Sequence, residues 1–292
     1  MRSIKKISLL TLGGLGIETK QIFSQNKNEK NCTVGGSGWH LALTGKALGC
    51  QSSIMASVGN DNLGQHLLSI LDKHNINFQG IISEKTQEYS SIIKDGVPVS
   101  FSATLDNIPT EQVINCFDKK KPQYDILIVG YMSYDVLSFV LQERKKNLNA
   151  LFVLDMSDSI LSIPNDKIVE YLSEFDIVTM NTHEAETLAN KLNVSVEQFL
   201  EMVNSKQNML FVTSISSVKY IVNKQINTYK FTQLNNVIDT TGAGDAFAVG
   251  VAVGKHKKMS IDKILCQAIY SAHSMCGIAK KENISDFAWW QE

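Results

Sequence analysis

The sequence has few of the features of a disulfide-bonded or cysteine-ligated scaffold. Its 292 residues include five cysteines, an odd number, and none are spaced as C-x-x-C. Disulfide frameworks and zinc sites use paired or closely spaced cysteines, so reduced thiols are the simplest account of this scattered set. We therefore expect a protein of the cytoplasm.

Strong net charge and long apolar runs are also absent. The chain has 28 Lys and Arg against 29 Asp and Glu, a net charge of −1, and so no global field that would attract nucleic acid or an anionic membrane. No apolar run approaches the roughly 20 residues that span a bilayer. The run at 7–12 is shorter than a signal-peptide core and ends in glycines, which favours a first strand. We expect neither nucleic acid nor membrane as a partner.

Short apolar runs alternate with helical patterns along most of the chain, and 43% of the residues are hydrophobic. This alternation is typical of an α/β fold with a mostly parallel sheet covered by helices on both faces. No linker separates independent domains, so we predict one domain over 1–292. The predicted strands are 7–12, 53–58, 126–129, 151–154, 177–180 and 210–213, and the predicted helices include 63–74, 166–174, 183–192 and 261–279.

Residues 88–105 depart from this alternation. They alternate in polarity on either side of Asp95-Gly96, which predicts an antiparallel hairpin with a tight turn. A hairpin within a β/α series suggests an appendage over one edge of the sheet. A second hairpin-like region, 218–232, precedes the glycine-containing stretch 239–247.

The stretch 239–247 has the sequence D-T-T-G-A-G-D-A-F. The threonines can cap a helix, and the apolar run 246–253 predicts a helix buried on all sides. The N–H groups of its first turn and the helix dipole would attract anionic oxygens to Gly242-Ala243-Gly244. Asp245 lies in the same turn, where it either complements the dipole or accepts a proton from a hydroxyl beside a bound phosphoryl group.

This string resembles the C-terminal signature of the PfkB (ribokinase-like) family of carbohydrate and nucleoside kinases. Further similarities follow the family's order and span nearly the whole chain. They are Gly35-Gly36-Ser37-Gly38, Val58-Gly59-Asn60-Asp61 with Gly64, and Asn181-Thr182-His183-Glu184, which matches N-x-x-E.

The resemblance implies a ribokinase-like three-layer α/β/α fold with a small β lid built from about 19–34 and 88–105. It implies an ATP- and Mg²⁺-dependent kinase that phosphorylates a hydroxyl of a sugar, a sugar derivative or a nucleoside. Lids of relatives close over the substrate and often form a dimer contact, so a homodimer through the lid is expected. Closing a lid also excludes water as a competing acceptor.

The resemblance also implies roles for individual residues. Asp245 would be the general base, and Gly242, Ala243 and Gly244 would form an anion hole with their N–H groups. Asn181 and Glu184 would place Mg²⁺ and the ATP phosphates, largely through water, as suits a hard ion; an ordinary helix start is the alternative for this pair. The remaining expected contacts are Thr213 and Thr241 with the nucleotide, and Glu18, Gly35, Gly36 and His40 with the acceptor.

Several positions depart from the family's pattern. Glu18 stands where many members have Asp, His40 where they usually have Asn, and 155–158 (D-M-S-D) replaces D-x-N-x-R. Lost hydroxyl-binding residues should change the substrate, and D-M-S-D resembles a string of the fructoselysine kinase-like branch. His40 could instead be an ordinary semi-buried histidine.

The nucleotide side departs as well. The family's T-L-G-x-x-G turn reads T-S-I-S-S-V at 213–218, without either glycine. Side chains there could hinder the nucleotide or favour another donor. A catalytically silent ribokinase-like protein that binds a metabolite, as a sensor or scaffold, therefore stays open as the alternative.

Overall fold

The computed structural model describes residues 5–24, 27–104, 110–156, 163–204, 209–234, 237 and 239–277. The strands are β1 (Ser8–Leu12), β2 (Gly16–Ser24), β3 (Lys27–Gly35), β4 (Gln51–Met55), β5 (Ser57–Gly59), β6 (Asn77–Phe78), β7 (Ile81–Ser83), β8 (Gln87–Lys94), β9 (Val97–Ala103), β10 (Ile126–Val129), β11 (Leu151–Asp155), β12 (Ile177–Asn181), β13 (Met209–Thr213), β14 (Ser217–Val222) and β15 (Gln225–Lys230). The helices are α1 (Ser37–Ala47), α2 (Asn62–Lys73), α3 (Thr110–Lys120), α4 (Tyr134–Lys146), α5 (Ile168–Ser173), α6 (Thr182–Lys191), α7 (Val196–Asn204), α8 (Ala243–His256) and α9 (Ile261–Gly277).

Within these residues nine strands form the main sheet, in the order β15-β14-β13-β12-β11-β10-β1-β4-β6. The strands from β6 to β13 pair in parallel, and β14 and β15 add an antiparallel edge. Strand order reverses between β1 and β10, because the chain runs outward from β1 to β6 before it returns. Ligands of open α/β sheets bind outside the carboxyl ends of the strands at such a point.

Helices cover both faces of the main sheet, as the strand–helix alternation predicts. Alternate residues of β10 illustrate this: Leu127 and Val129 pack in the cluster with α3 to α7, whereas Ile126 and Ile128 pack in the cluster with α8 and α9. A strand buried on both faces reads as a continuous apolar run, which is why sequence alone locates it. Within the described residues, no helix combines the length and apolar character that a membrane span requires.

A second sheet, here called the lid sheet, consists of four strands in the order β3-β2-β8-β9. The predicted hairpin is confirmed, since β8 and β9 pair in antiparallel fashion around Asp95-Gly96. The segment 19–34 supplies most of β2 and β3, which begin and end slightly outside it, at Gly16 and Gly35, and which also form an antiparallel pair. Residues 25, 26 and 105 of the predicted lid lie outside the described residues, and the single-domain boundary 1–292 stays a prediction.

The predicted strand 53–58 is wrong as one element. It is two strands, because β4 belongs to the main sheet while β5 pairs with β7 in a separate two-stranded sheet. The chain changes partners at Ala56, whose carbonyl accepts the N–H of Ile81 at 2.9 Å. Ile54 and Met55 before Ala56 and Val58 after it are all buried, so these apolar residues give no sign of the break.

The Val58-Gly59-Asn60-Asp61 motif begins α2. Asp61 is the N-cap, and its carboxylate accepts the N–H of Gly64 at 2.7 Å as well as the N–H and hydroxyl of Thr86. A Cβ at Gly64 would lie 1.9 Å from the carbonyl oxygen of Gly59, so this turn excludes a side chain there. The motif therefore has a structural role that its residues explain by themselves.

Candidate active site

Three neighbouring strands of the main sheet, β11, β12 and β13, end at the same edge. Their register pairs Asp155 at the end of β11 with Thr179, and Asn181 at the end of β12 with Thr213 at the end of β13. Parallel strands that end together present their last side chains side by side. Polar residues far apart in the sequence thus meet at one edge.

These strand ends border a cleft of about 210 Å³. The start of α8 closes its opposite side. The residues that line it are Ser37, Gly130, Tyr131, Asp155, Met156, Thr179, Met180, Asn181, Glu184, Thr213, Gly244, Asp245 and Phe247. The cleft therefore brings together five of the predicted site residues, which are Asn181, Glu184, Thr213, Gly244 and Asp245.

Helix α8 has the predicted apolar, buried character, since residues 246–254 are all buried. Its predicted cap is wrong: Gly242, not a threonine, is the N-cap, and it has no side-chain capping hydrogen bond. Gly242 has φ +80°, a left-handed conformation that glycine adopts without steric cost. The N–H of Ala243 donates to the carbonyl of Thr240 at 3.1 Å, so this N–H is already paired within the turn.

The two glycines of the turn have different surroundings. A Cβ on Gly242 would lie 2.8 Å from Cγ of His40, so the imidazole ring packs directly behind the backbone at this residue. A Cβ on Gly244 would meet nothing within 4 Å. The backbone at Gly244 therefore faces open space in the cleft, where a ligand oxygen can approach it.

Asp245 lies in the first turn of α8, and its side chain is 12% exposed at the cleft. Its Oδ2 is 3.2 Å from Nδ1 of His40, whose side chain is 3% exposed. His40 is not one of the residues that line the described cleft. The structure thus places His40 against the predicted base instead of at the cleft surface.

Asp155 is a further member of this group. Its carboxyl group is buried, accepts a hydrogen bond from the hydroxyl of Thr179 at 2.7 Å, and interacts with the carboxyl group of Asp245. Burial and the charge of Asp245 raise the pKa of Asp155 well above its ordinary value, as expected for two neighbouring carboxyl groups. Sequence reasoning treated Asp155 only as part of an altered pattern; its position at the end of a buried strand was the usable signal.

Asn181 and Glu184 form a capping box at the start of α6. The Asn181 side chain accepts the N–H of Glu184 at 2.9 Å, and the Glu184 carboxylate accepts the N–H of Asn181 at 2.7 Å. The alternative of an ordinary helix start is therefore correct for the local structure. It does not compete with ligand binding, because both residues also line the cleft.

The oxygens at the cleft suit Mg²⁺. Carboxylate and amide oxygens from Asn181, Glu184 and Asp245 are hard ligands of the kind that this ion prefers. In the described part of the chain, no three Asp, Glu, His or Cys side chains are close enough to enclose a metal ion by themselves. The donor set therefore fits an ion that keeps most of its waters.

The turn that lacks the family's glycines follows Thr213. Ser214 and Ser217 close it through four hydrogen bonds. The Ser217 carbonyl accepts from the N–H and from the hydroxyl of Ser214, the Ser217 N–H donates to the Ser214 hydroxyl, and the two hydroxyl groups bond to each other at 2.8 Å. Ile215 at its tip is 67% exposed. Serine hydrogen bonds thus shape a tight turn here without glycine.

The predicted acceptor residues Glu18, Gly35 and Gly36 lie at the junction of the lid sheet and α1. None of them lines the described cleft, although Gly36 directly precedes the lining residue Ser37. Glu18 is 1% exposed and accepts a hydrogen bond from the hydroxyl of Ser91 at 2.7 Å. Gly35 packs against it, because a Cβ there would lie 2.7 Å from Cβ of Glu18. Gly36 is the N-cap of α1, with φ +100°.

A model of the pfkB family carbohydrate kinases matches residues 21–279 of this sequence. The chain belongs to this family. The prediction of a kinase that acts on a hydroxyl group is thereby confirmed, as is the family resemblance of the motifs.

Individual kinases that this chain resembles agree with the family assignment. The chain is 23% identical to an ATP-dependent 6-phosphofructokinase of Thermoanaerobacterium thermosaccharolyticum over 89% of its length and 85% of the relative's. It is 24% identical to a nucleoside kinase of Methanocaldococcus jannaschii, over 88% and 83%. The structure of adenosine kinase from Sinorhizobium meliloti superposes with a TM-score of 0.81 at 18% identity, covering 98% of each chain, and confirms the ribokinase-like α/β/α fold.

Proposed function

We propose that this protein transfers the terminal phosphoryl group of ATP, with Mg²⁺, to a hydroxyl of a sugar, a sugar derivative or a nucleoside. The observation that carries the proposal is the first turn of α8, where the Asp245 carboxylate and the open backbone at Gly244 face one cleft. This arrangement supports a proton acceptor acting beside an anion-binding helix terminus, as in-line phosphoryl transfer to an alcohol requires.

Asp245 removes the proton of the acceptor hydroxyl while the oxygen of that hydroxyl forms a bond to the terminal phosphorus of ATP. The bond from that phosphorus to the bridging oxygen breaks, and ADP leaves. The N–H groups and dipole at the start of α8 stabilise the charge on the transferred group. Gly244 is best placed for this, with Gly242 supporting it, whereas the N–H of Ala243 contributes less because it is paired with Thr240.

Asn181 and Glu184 would hold Mg²⁺ near the phosphates through water molecules. The ion would supply positive charge that neutralises the phosphate oxygens. Thr213, on the cleft wall, and Thr241, next to the N-cap of α8, would contact the nucleotide.

The acceptor would bind between this cleft and the lid sheet, near Gly35 and Gly36. Glu18 and His40 would influence the acceptor indirectly, through the residues that they support, since both are buried and hydrogen-bonded to other side chains. The lid sheet would close over the acceptor and provide the contact of a homodimer. Relatives named for phosphofructokinase and nucleoside kinase activity support a sugar or nucleoside acceptor.

A metabolite-binding protein without catalysis is the second candidate. The turn at 214–217 supports it, because Ile215 projects where the family's turn has glycine. Weak nucleotide binding would leave a ribokinase-like protein that recognises only the acceptor.

Mg²⁺-dependent ATP turnover, measured across a panel of sugars and nucleosides, separates the two candidates. For a kinase, one acceptor stimulates turnover, and Asp245→Asn lowers kcat by about 10² to 10⁴ while the variant stays folded. Thermal stabilisation by an acceptor without turnover would favour the binding protein. Equal activity of Asp245→Asn and wild type would refute Asp245 as the base.

A further inference from the structure

Three charged side chains are buried together where the lid sheet meets the turn before α8. Nζ of Lys20 lies 2.6 Å from Oδ2 of Asp239 and 3.3 Å from Oε2 of Glu18. Each of these residues is at most 3% exposed. Burying a charge is costly unless it is paired, so the position of Lys20 depends on both carboxylates.

The alternation of β2 explains how the lid sheet carries these charges inward. Residues 16, 18, 20 and 22 of this strand are buried, whereas its odd-numbered residues 17 to 23 are partly or fully exposed. Side chains two residues apart share one face of a strand, so Glu18 and Lys20 point the same way. Ser91 on the neighbouring β8 donates to Glu18 and completes the link within the lid sheet.

Asp239 connects this cluster to the turn that begins α8. While Oδ2 contacts Lys20, Oδ1 accepts the N–H of Thr241 at 2.8 Å. The N–H of Thr240 donates to the carbonyl of Gly96, in the β8–β9 turn, at 3.0 Å. The two peptide groups before Gly242 are therefore held by the lid sheet itself or by a carboxylate paired with it.

We propose that Lys20 is a positioning residue for phosphoryl transfer: by pairing with Asp239, it makes the conformation of the 239–244 turn depend on docking of the lid sheet. This proposal rests on the proposed function, because the turn it positions is the one that carries Gly244 and leads into Asp245. Movement of the lid sheet on the acceptor side is transmitted to the phosphate side through one buried ion pair. The 239–244 turn is thereby ordered for phosphate binding only when the lid sheet is docked, and not when the lid is open and water has access to the cleft.

Hydrogen exchange of the full-length chain, followed by mass spectrometry, tests the coupling. We expect Lys20→Met to leave two buried carboxylates without their counter-ion and to speed exchange about tenfold in β2, in β8 and in the 239–244 turn. Exchange in β11 to β13 should not change. The matched control is Lys94→Met, which removes an exposed lysine from the same lid sheet and should match wild type throughout.

Kinetics provide the second readout. If Lys20 orients the turn, Lys20→Met should lower kcat at least about tenfold while the KM for ATP changes less, because the lost interaction matters most in the transition state. Exchange that rises in the lid sheet but not in the turn would overturn the proposal. A wild-type protein without turnover would refute the proposed function, yet the exchange data would still decide the coupling.

If Lys20→Met fails to fold, Asp239→Asn is measured alone: faster exchange in β2 as well as in the 239–244 turn supports the proposal, and faster exchange in the turn alone overturns it. This change keeps a side-chain oxygen for the N–H of Thr241 but removes the charge that faces Lys20. The double variant Lys20→Met/Asp239→Asn should be less disturbed than the sum of the single variants, because one unpaired carboxylate is gone. Additive effects on exchange in the turn would show that the two residues act independently and would overturn the proposal.

Discussion

At the scale of single residues, the most unusual feature is the pair of carboxyl groups formed by Asp155 and Asp245. Asp155 is buried, and its hydrogen bond from Thr179 does not offset burial and the neighbouring negative charge. Its pKa is therefore raised in the folded protein. Proximity of two carboxyl groups favours one shared proton.

The raised pKa of Asp155 predicts how stability changes with pH. Since the folded-state pKa exceeds the unfolded one, the contribution of Asp155 to stability is complete below the unfolded value of about 3.9 and is lost as pH rises through the folded pKa. Asp155→Asn should therefore gain stability relative to wild type as pH rises. Melting temperatures measured from acid to alkaline pH without Mg²⁺ check this.

The control for this experiment is Asp118→Asn, on the exposed surface of α3. Its melting curve should run parallel to that of wild type. If Asp155→Asn also ran parallel to wild type, Asp155 would be ionised at neutral pH and the shared proton would be refuted.

At the scale of elements, α8 both packs in the core and contributes to the cleft, and different parts of its sequence serve these two roles. Residues 246–254 are buried between the main sheet and α9, and Phe247 packs edge-on against Phe211 of β13. The N-terminal turn lies at the cleft, and the positive φ of its N-cap Gly242 sets the direction in which the chain enters the helix. A rigid buried helix thus fixes the position of Asp245.

Replacement of either glycine at the start of α8 by alanine should have a different effect: on stability at Gly242, and on ATP binding at Gly244. Gly242→Ala forces a side chain into a left-handed conformation and against His40, so it should cost at least about 1–2 kcal/mol in unfolding free energy. Gly244→Ala has open space and should fold as stably as wild type, yet its methyl group would raise the KM for ATP. Denaturant unfolding and steady-state kinetics of both variants check this, and an unaltered KM for Gly244→Ala would argue against phosphate binding at this backbone.

At the scale of the whole molecule, three apolar clusters on the two faces of the main sheet hold the fold together. Among the residues that the structure describes, no three Asp, Glu, His or Cys side chains form a group that could hold a metal ion. The cleft lies at the edge where the main sheet, α8 and α6 meet, and the lid sheet is joined to the turn before α8 by buried charges.

This arrangement predicts that a chelator separates activity from stability. EDTA should abolish ATP turnover, because the phosphate charge is no longer neutralised, and excess Mg²⁺ should restore it. The melting temperature without nucleotide should not change. A large fall in melting temperature with EDTA would reveal a structural metal site and contradict this account.

Much of the fold was predictable because its signals are local. Buried parallel strands read as apolar runs, the Asp95-Gly96 turn has its own chemistry, and the D-T-T-G-A-G-D string predicts a buried helix with an acidic first turn. The error at Ala56 arose because the apolar residues Met55 and Val58 stay buried on either side of the point where the strand changes partners. The capping error at Gly242 arose because either threonine or glycine can begin a helix.

The sequence by itself determined the family, the α/β architecture and the position of Asp245, because periodicity, turn chemistry and motif order are properties of neighbouring residues. Only the tertiary structure decided that Asp155 joins Asp245, that His40 packs behind Gly242, and that Lys20 pairs with Asp239 across 219 positions of the chain. These contacts depend on strand register and on the docking of one sheet against another, which set distances between residues that no local pattern relates.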